Sequence, residues 1–344
     1  MGILNWRLNG RRRASPHSSR ELEALAQEIC RLSPRLRLLP RYAQRLAPHL
    51  GTALDYLRTL IAGIPAPREA SPQAWATDPY VHACFGTPHD VQLIFSRSAD
   101  LQQFFETSPD ATEAFAVLGM DMTEKRTLGV GLEGDVMRTD VLQTIVNFSD
   151  HQVRLCGRDK PALCRQIEGR MLDQLALQGL ASAAAGGVGR DRRLQEMALL
   201  GKRLRFLEGE GEGVGMRAML GGAAAPDPDE QARLRAQLAE GDANARTASV
   251  SKDSVNALES QLLSLQTTFS DAKSYFFIER RHIRLSRMNV VTGEDSMSPS
   301  DALEFTTASI PGDPPATRTF LLVRIPRAVM LTRMRLLEEA ERYL

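Results

Sequence analysis

The chain holds 344 residues, 43% of them hydrophobic and 25% charged, a mix that excludes wholesale disorder and collagen-like repetition. Lysine and arginine number 43 against 42 acids, a formal net charge of +1, so no global electrostatic pull toward nucleic acid or a membrane surface follows. No apolar run approaches the ~18 residues of a membrane span.

At the N-terminus, Met1-Gly2 opens like a myristoylation signal, but Trp6 stands where Ser or Thr is required. Arg11-Arg12-Arg13 resembles a twin-arginine element, yet the polar stretch Ala14 to Arg20 supplies no hydrophobic core behind it. The expected compartment is therefore the cytosol. Cys30, Cys84, Cys156 and Cys164 form no CxxC pair and are expected to stay reduced. Of the basic residues five are lysine and 38 arginine, the composition of a high-GC bacterium. Residues 1–18 read as a flexible basic N-terminus. Charge is segregated: residues 1–60 carry eleven arginines against four acids, and residues 69–150 thirteen acids against four bases. The two stretches are expected to attract each other on folding.

Residues 19–113 read as a helical region. Leu22, Leu25, Ala26, Ile29 and Leu32 recur at helical spacing behind a Ser19 cap, and Pro34 and Pro40 break the pattern. A second helix runs from Arg41 to Ala62 on Leu46, Leu50, Leu54, Leu57 and Ile61. Thr87-Pro88-His89-Asp90 and Ser98 with Asp100 mark two further helix starts.

Residues 114–344 read as an α+β unit. Strands are expected at Ala114–Leu118, Thr127–Leu132, Thr139–Phe148 and Gln152–Cys156, with Ser149-Asp150-His151 as a hairpin connection. Leu142, Thr144, Val146 and Phe148 alternate against Val141, Gln143, Ile145 and Asn147, as in a half-buried strand. A helical excursion follows over about 160–275. It is interrupted by expected loops at Ala181–Gly189 and Glu208–Pro228, with a helix on Leu194 to Leu207 between them. Within it Val255, Leu258, Leu262, Leu265, Phe269, Ala272 and Phe276 follow the alternating three-four spacing of a coiled-coil seam. Packing inside the chain is the preferred reading of that seam over pairing between chains. Strands resume at Phe277–Val291, Ala302–Ile310 and Arg318–Ile325, with a turn at Gly312-Asp313-Pro314-Pro315, and a C-terminal helix is expected after Pro326. The whole predicts one antiparallel sheet, discontinuous in sequence, with a coiled-coil-like helical excursion inserted into it.

Few motifs carry chemistry. Gly129-Val130-Gly131-Leu132-Glu133-Gly134 matches the dinucleotide fingerprint, but a strand follows where the mechanism needs a helix, so bulged strand is the better account. Glu133, Asp135 and Asp140, with Asp150 and His151 nearby, would suit a metal ion or acid–base pair; solvated surface carboxylates are the commoner arrangement. His82, Cys84, His89 and Asp90 hold zinc-ligand atoms but lie in one packed stretch rather than two segments. Arg280, Arg281, Arg284 and Arg287 form a basic strand suited to phosphate or nucleic acid, with Tyr275, Phe276 and Phe277 placed to stack on bases. With a neutral total, charges paired on a solvated strand are preferred. The expected function is a cytosolic bacterial protein acting by protein–protein contact through helical surfaces. Its seam is Val255, Leu258, Leu262, Leu265 and Phe269, its partner a protein or a second copy, and it uses no cofactor. A nucleic-acid protein and a metal-assisted enzyme are the rival readings.

Overall fold

Two stretches far apart in sequence meet in one sheet, and different helices cover its two faces. A computed structural model describes residues 17–133, 136–186, 219–220, 252–293, 299–310, 316–332 and 335–336. Helix α1 (Ser19–Ile29) starts one residue after its cap, since Ser18 rather than Ser19 accepts the Glu21 N–H. A 3₁₀ turn (Pro34–Leu38) leads to α2 (Tyr42–Ala62). A two-residue strand β1 (Arg68–Glu69) precedes α3 (Pro72–Thr77), α4 (Pro79–Cys84), α5 (Pro88–Arg97) and α6 (Ala99–Thr107). Thr87 and Ser98 cap α5 and α6 as the sequence predicts, accepting the N–H groups of Asp90 and Leu101.

The strands expected between 114 and 156 fuse into two, β2 (Glu113–Glu133) and β3 (Val136–Gly157). Ser149-Asp150-His151 is a bulge inside β3 rather than a hairpin. Pairing steps from Gly119 opposite Gln152 to Asp121 opposite Ser149, and Asp150 takes a φ of 49°. Polar residues and left-handed backbone give bulges and turns the same local signature, and only the partner strand tells them apart.

Helix α7 (Lys160–Gly186) opens the excursion and continues through Ala181–Gly186, where a loop was expected. Alanine is the strongest helix former, and Ala183 is buried. The helix expected from Leu194 to Leu207 and the loop from Glu208 to Pro228 lie outside the described residues, except for helical Met219 and Leu220. Helices α8 (Lys252–Ser270) and α9 (Ala272–Tyr275) close the excursion, and β4 (Ile278–Ser286), β5 (Ser300–Ile310) and β6 (Ala316–Pro326) follow. The expected turn at Gly312–Pro315 lies outside the described residues. After Pro326 a 3₁₀ turn (Arg327–Val329) stands where the C-terminal helix was expected to begin. Met330 is extended and the Leu331 N–H is spent on the Ser96 hydroxyl, so no helical ladder forms there. Most of that expected helix, including Met334, Leu337 and Tyr343, lies outside the described residues.

The chain is an α+β protein. Its strands are ordered β3-β2-β6-β5-β4 and antiparallel, and β1 adds to β6 in parallel through Arg68 opposite Val323. The sheet curls until its ends meet: residues after β4 bridge to both sides, Val290 to Ile145 and Val291 to Leu285. Alternation along the strands divides the core. Ala114, Ala116, Leu118, Leu303, Phe305, Leu321 and Val323 face a core shared with α3 to α6. Val117, Ala308, Phe320 and Leu322 face one shared with α1, α2, α7 and α8. Each fully buried leucine in these cores contributes about 1.5–3 kcal/mol by area.

Candidate functional site

The seam of α8 faces inward. Leu258, Leu262, Leu265 and Phe269, with Ala272 and Phe276 beyond a break at Asp271, are buried among α1, α2 and α7, while Val255 at the seam's start is 54% exposed. Polar contacts fix the helix in place. Arg45 grips Glu259 through both guanidinium nitrogens at 2.9 and 2.5 Å, Ser264 donates to Gly179 O at 2.8 Å, and Tyr56 donates to Phe276 O at 2.5 Å. Among the described residues, Arg45 and Arg58 of the N-terminal stretch pair here and within the helical layer (Arg58 with Glu21 and Glu168) rather than with the acidic stretch expected. The opposite side of α8 presents Asn256, Ser260, Leu263, Thr267 and Ser270 to solvent. Leu263 is 64% exposed, and Leu38 on the adjoining 3₁₀ turn is exposed as well.

The basic strand is β4, and its side chains divide as alternation predicts: Ile283 and Leu285 are buried, Arg280, His282 and Arg284 exposed. Arg280 donates to Gly63 O at 2.6 Å and pairs with Glu304 at 3.3 Å, which also lies 3.4 Å from His282. Arg281 crosses to Glu124 on β2. Arg284 is exposed, as is Arg287 just past the strand. Phe276 is fully buried and presents no ring to a base.

The acidic residues are dispersed. Glu133 ends β2 and Asp140 lies on β3, four positions into that strand, whereas Asp135 lies outside the described residues. Asp150 and His151 are drawn away by the bulge. Burial works against the charge on Asp150, but hydrogen bonds from Gln152 and Arg318 prevail and hold its carboxyl below the usual range. His151 stacks on Phe85 at 5.0 Å with Nε2 2.7 Å from Cys84 O, and burial lowers its pKa. Among the described residues no group of three or more His, Cys, Asp and Glu is placed to hold a metal ion. His82 sits between two carbonyls, Trp75 O at 3.2 Å and Arg287 O at 3.1 Å, and the Cys84 thiol is pushed well up by burial. A cleft of about 130 Å³ beside His82 is lined by Asp78, Ser286, Arg287, Asn289 and Asp301. Its Asp78 and Ser286 oxygens already accept backbone N–H groups of Tyr80 and Val290. Gly129 and Gly131 flank a second bulge, and β3 follows them where a nucleotide site needs a helix.

Two features escape sequence reading. Arg318, alternating among apolar neighbours on β6, is buried and donates to Asp121 at 2.8 Å, to Asp150 at 2.7 Å and to Leu220 O at 3.0 Å. It pins residue 220 against β2 where a Cβ on Gly119 would lie 1.7 Å from Leu220 O. The second feature is the outer half of the β2–β3 hairpin. Pairing with β6 stops at Met120, and the last bridge to another element is at Ile145. Beyond, among the described residues, the two strands run on as a bare ribbon, with Leu128 directly opposite Leu142 and the pair 67% and 64% exposed. Leu142 does share a face with buried Val146, but that face leaves the core before reaching it. Both leucines are plain in the sequence; only the length of the cover is not.

Among the described residues no helix is long and apolar enough to cross a membrane. Comparison with protein-family models, with curated proteins and with solved structures found no match in any of the three.

Proposed function

We propose that the protein acts by contact with another protein through its helical layer, on the side of α8 turned away from the core. The observation that carries this reading is Leu263, 64% exposed at the middle of the outward stripe of α8, with Val255 on the same helix 54% exposed. Such residues are common singly on surfaces, but here they ride on a helix whose other face is fixed by the core and by Arg45, so the stripe is presented rigidly. The four thiols are free and the basic residues overwhelmingly arginine, which supports placing this activity in the bacterial cytosol. The basic strand is a weaker candidate for phosphate because Glu304 and Glu124 already occupy Arg280 and Arg281.

The test is a comparison of partners recovered by in-cell cross-linking from the native host, for the parent chain and for Leu263→Glu. A protein captured by the parent and lost with Leu263→Glu, at unchanged melting temperature, supports the reading. Identical recoveries from parent, Leu263→Glu and Val255→Glu overturn it.

A further inference from the structure

The 3₁₀ turn between α1 and α2 holds a protruding leucine among unpaired arginines, and we propose that it docks the protein on an anionic phospholipid surface. From residue 29 to residue 54 the chain has five arginines and no acid. Two of the five are neutralised, Arg31 by Glu28 at 3.5 Å and Arg45 by Glu259 at 2.5 Å. Arg35, Arg37 and Arg41 are exposed, and among the described residues no carboxylate pairs with them. The near-neutral total conceals this local excess, because the compensating acids lie elsewhere in the chain.

Alternate burial fixes the turn and leaves the charges outside. Leu36 and Leu39, 1% and 3% exposed, anchor it in the core shared with α1, α2 and α8, whereas Leu38 between them stands 76% exposed. Pro34 and Pro40 bracket the segment and restrict its backbone. Arg41 has a φ of 54°, a left-handed backbone that favours glycine or asparagine, and its side chain makes no capping bond to α2 in return.

What selects the occupant is the combination of cations with an apolar tip. Guanidinium forks suit phosphate oxygens in a nucleic-acid backbone or a lipid headgroup alike. A single-stranded nucleic acid would also ask for a ring to stack on its bases, but Tyr42, the one Phe, Tyr or Trp in the stretch, is half-buried. A bare leucine gains nothing against a hydrated phosphate backbone. At a bilayer it enters the acyl boundary while the arginines stay level with the phosphates and their stems cover apolar surface. Each arginine near an anionic leaflet strengthens partitioning by about fivefold, so three supply roughly a hundredfold. That suffices for reversible docking and falls short of an anchor. The reading is independent of the α8 stripe and uses neither Leu263 nor Val255.

The experiment is co-sedimentation of the full chain with large vesicles, one set of phosphatidylcholine alone and one of phosphatidylcholine and phosphatidylglycerol in equal parts. The parent is expected to pellet with the second set only, and to be released as salt approaches ~1 M, where the screening length falls to about 3 Å. Arg35→Gln/Arg41→Asn removes two charges and suits the left-handed backbone at 41. It is expected to bind roughly twentyfold more weakly, with a melting temperature unchanged or raised. Leu38→Ser keeps every charge and is expected to weaken binding by about fivefold at low salt. A parent that ignores phosphatidylglycerol overturns the proposal, and so does one that binds a DNA duplex but not the vesicles. Equal binding by the parent and Arg35→Gln/Arg41→Asn overturns it as well. Indifference to Leu38→Ser does the same, since it would leave a phosphate contact without insertion.

Discussion

A guanidinium without access to solvent is tolerable only where acceptors surround it, and Arg318 has two carboxylates, the Asp150 carbonyl and the Leu220 carbonyl. Replacing it with methionine keeps the volume and removes every one of those bonds. Asp121 and Asp150 keep partial solvent access, so the loss falls short of that for a fully buried pair; about 2–3 kcal/mol is expected in urea unfolding of Arg318→Met. Arg318→Lys retains the charge without the fork and should fall between the two. His151 gives a second expectation. Burial lowers its pKa in the fold, so the unfolded chain binds the proton more readily, and stability present above its unfolded value of ~6.5 is lost as pH falls below it. His49 is lowered by burial as well and contributes in the same direction. Unfolding free energies measured between pH 7 and 5 should therefore decline less for His151→Gln than for the parent. An equal decline would show that the ring is not neutral in the fold.

At the scale of elements, α8 makes the sharpest demand. Leu262 is inaccessible between α2 and α7, and a carboxylate there would have to leave water unpaired. Leu262→Asp is expected to unfold the helical layer. Gln261→Asp should cost less than ~1 kcal/mol, because the position is off the seam and the shorter carboxylate gives up only the bond from the Ser33 hydroxyl, 3.3 Å away in the parent. Circular dichroism melts of the two variants check this, and similar melts would place the seam at the surface. The seam was legible in the sequence because period 3.6 survives any tertiary context, as were the caps at Thr87 and Ser98, whose bonds are local. The bulge at Asp150 was not, since its definition resides in β2. Nor was β1, two residues long and ordered by β6. Of the candidate sites, the alternation of β4 was readable, whereas the acids that neutralise Arg280 and Arg281 come from the paired strand β5 and from β2, and follow from tertiary pairing.

For the molecule as a whole, the discontinuous sheet predicts how the chain tolerates division. A fragment ending at Arg158 contains β2 without β6, leaving the ladder from Glu113 to Met120 unpaired and Val117 without Phe320 and Leu322 beside it. Such a fragment should be aggregated or lack a cooperative melt, and a soluble monomer that unfolds cooperatively would contradict the strand order described. Sequence reading arrives at this architecture from the return of period two after the helical excursion. It does not reveal that Asn289 to Val291 bring β4 back to β3, because those bonds join residues far apart in the chain with no local pattern to announce them.

The pairing of β2 with β6 also sets a timetable. Glu113 lies opposite Pro326 and Met120 opposite Thr319, so roughly 200 residues of translation separate the two strands, ~10–40 s at ribosomal speed. Through that interval nascent β2 has β3 on one side and an open row of amide and carbonyl groups on the other, the geometry that invites a stranger's strand. The newborn chain therefore spends most of its synthesis with an interior strand of its sheet unfinished. Slowing elongation downstream of β3 lengthens that exposure, and a chaperone that holds strand edges would meet this protein before its own last strand does.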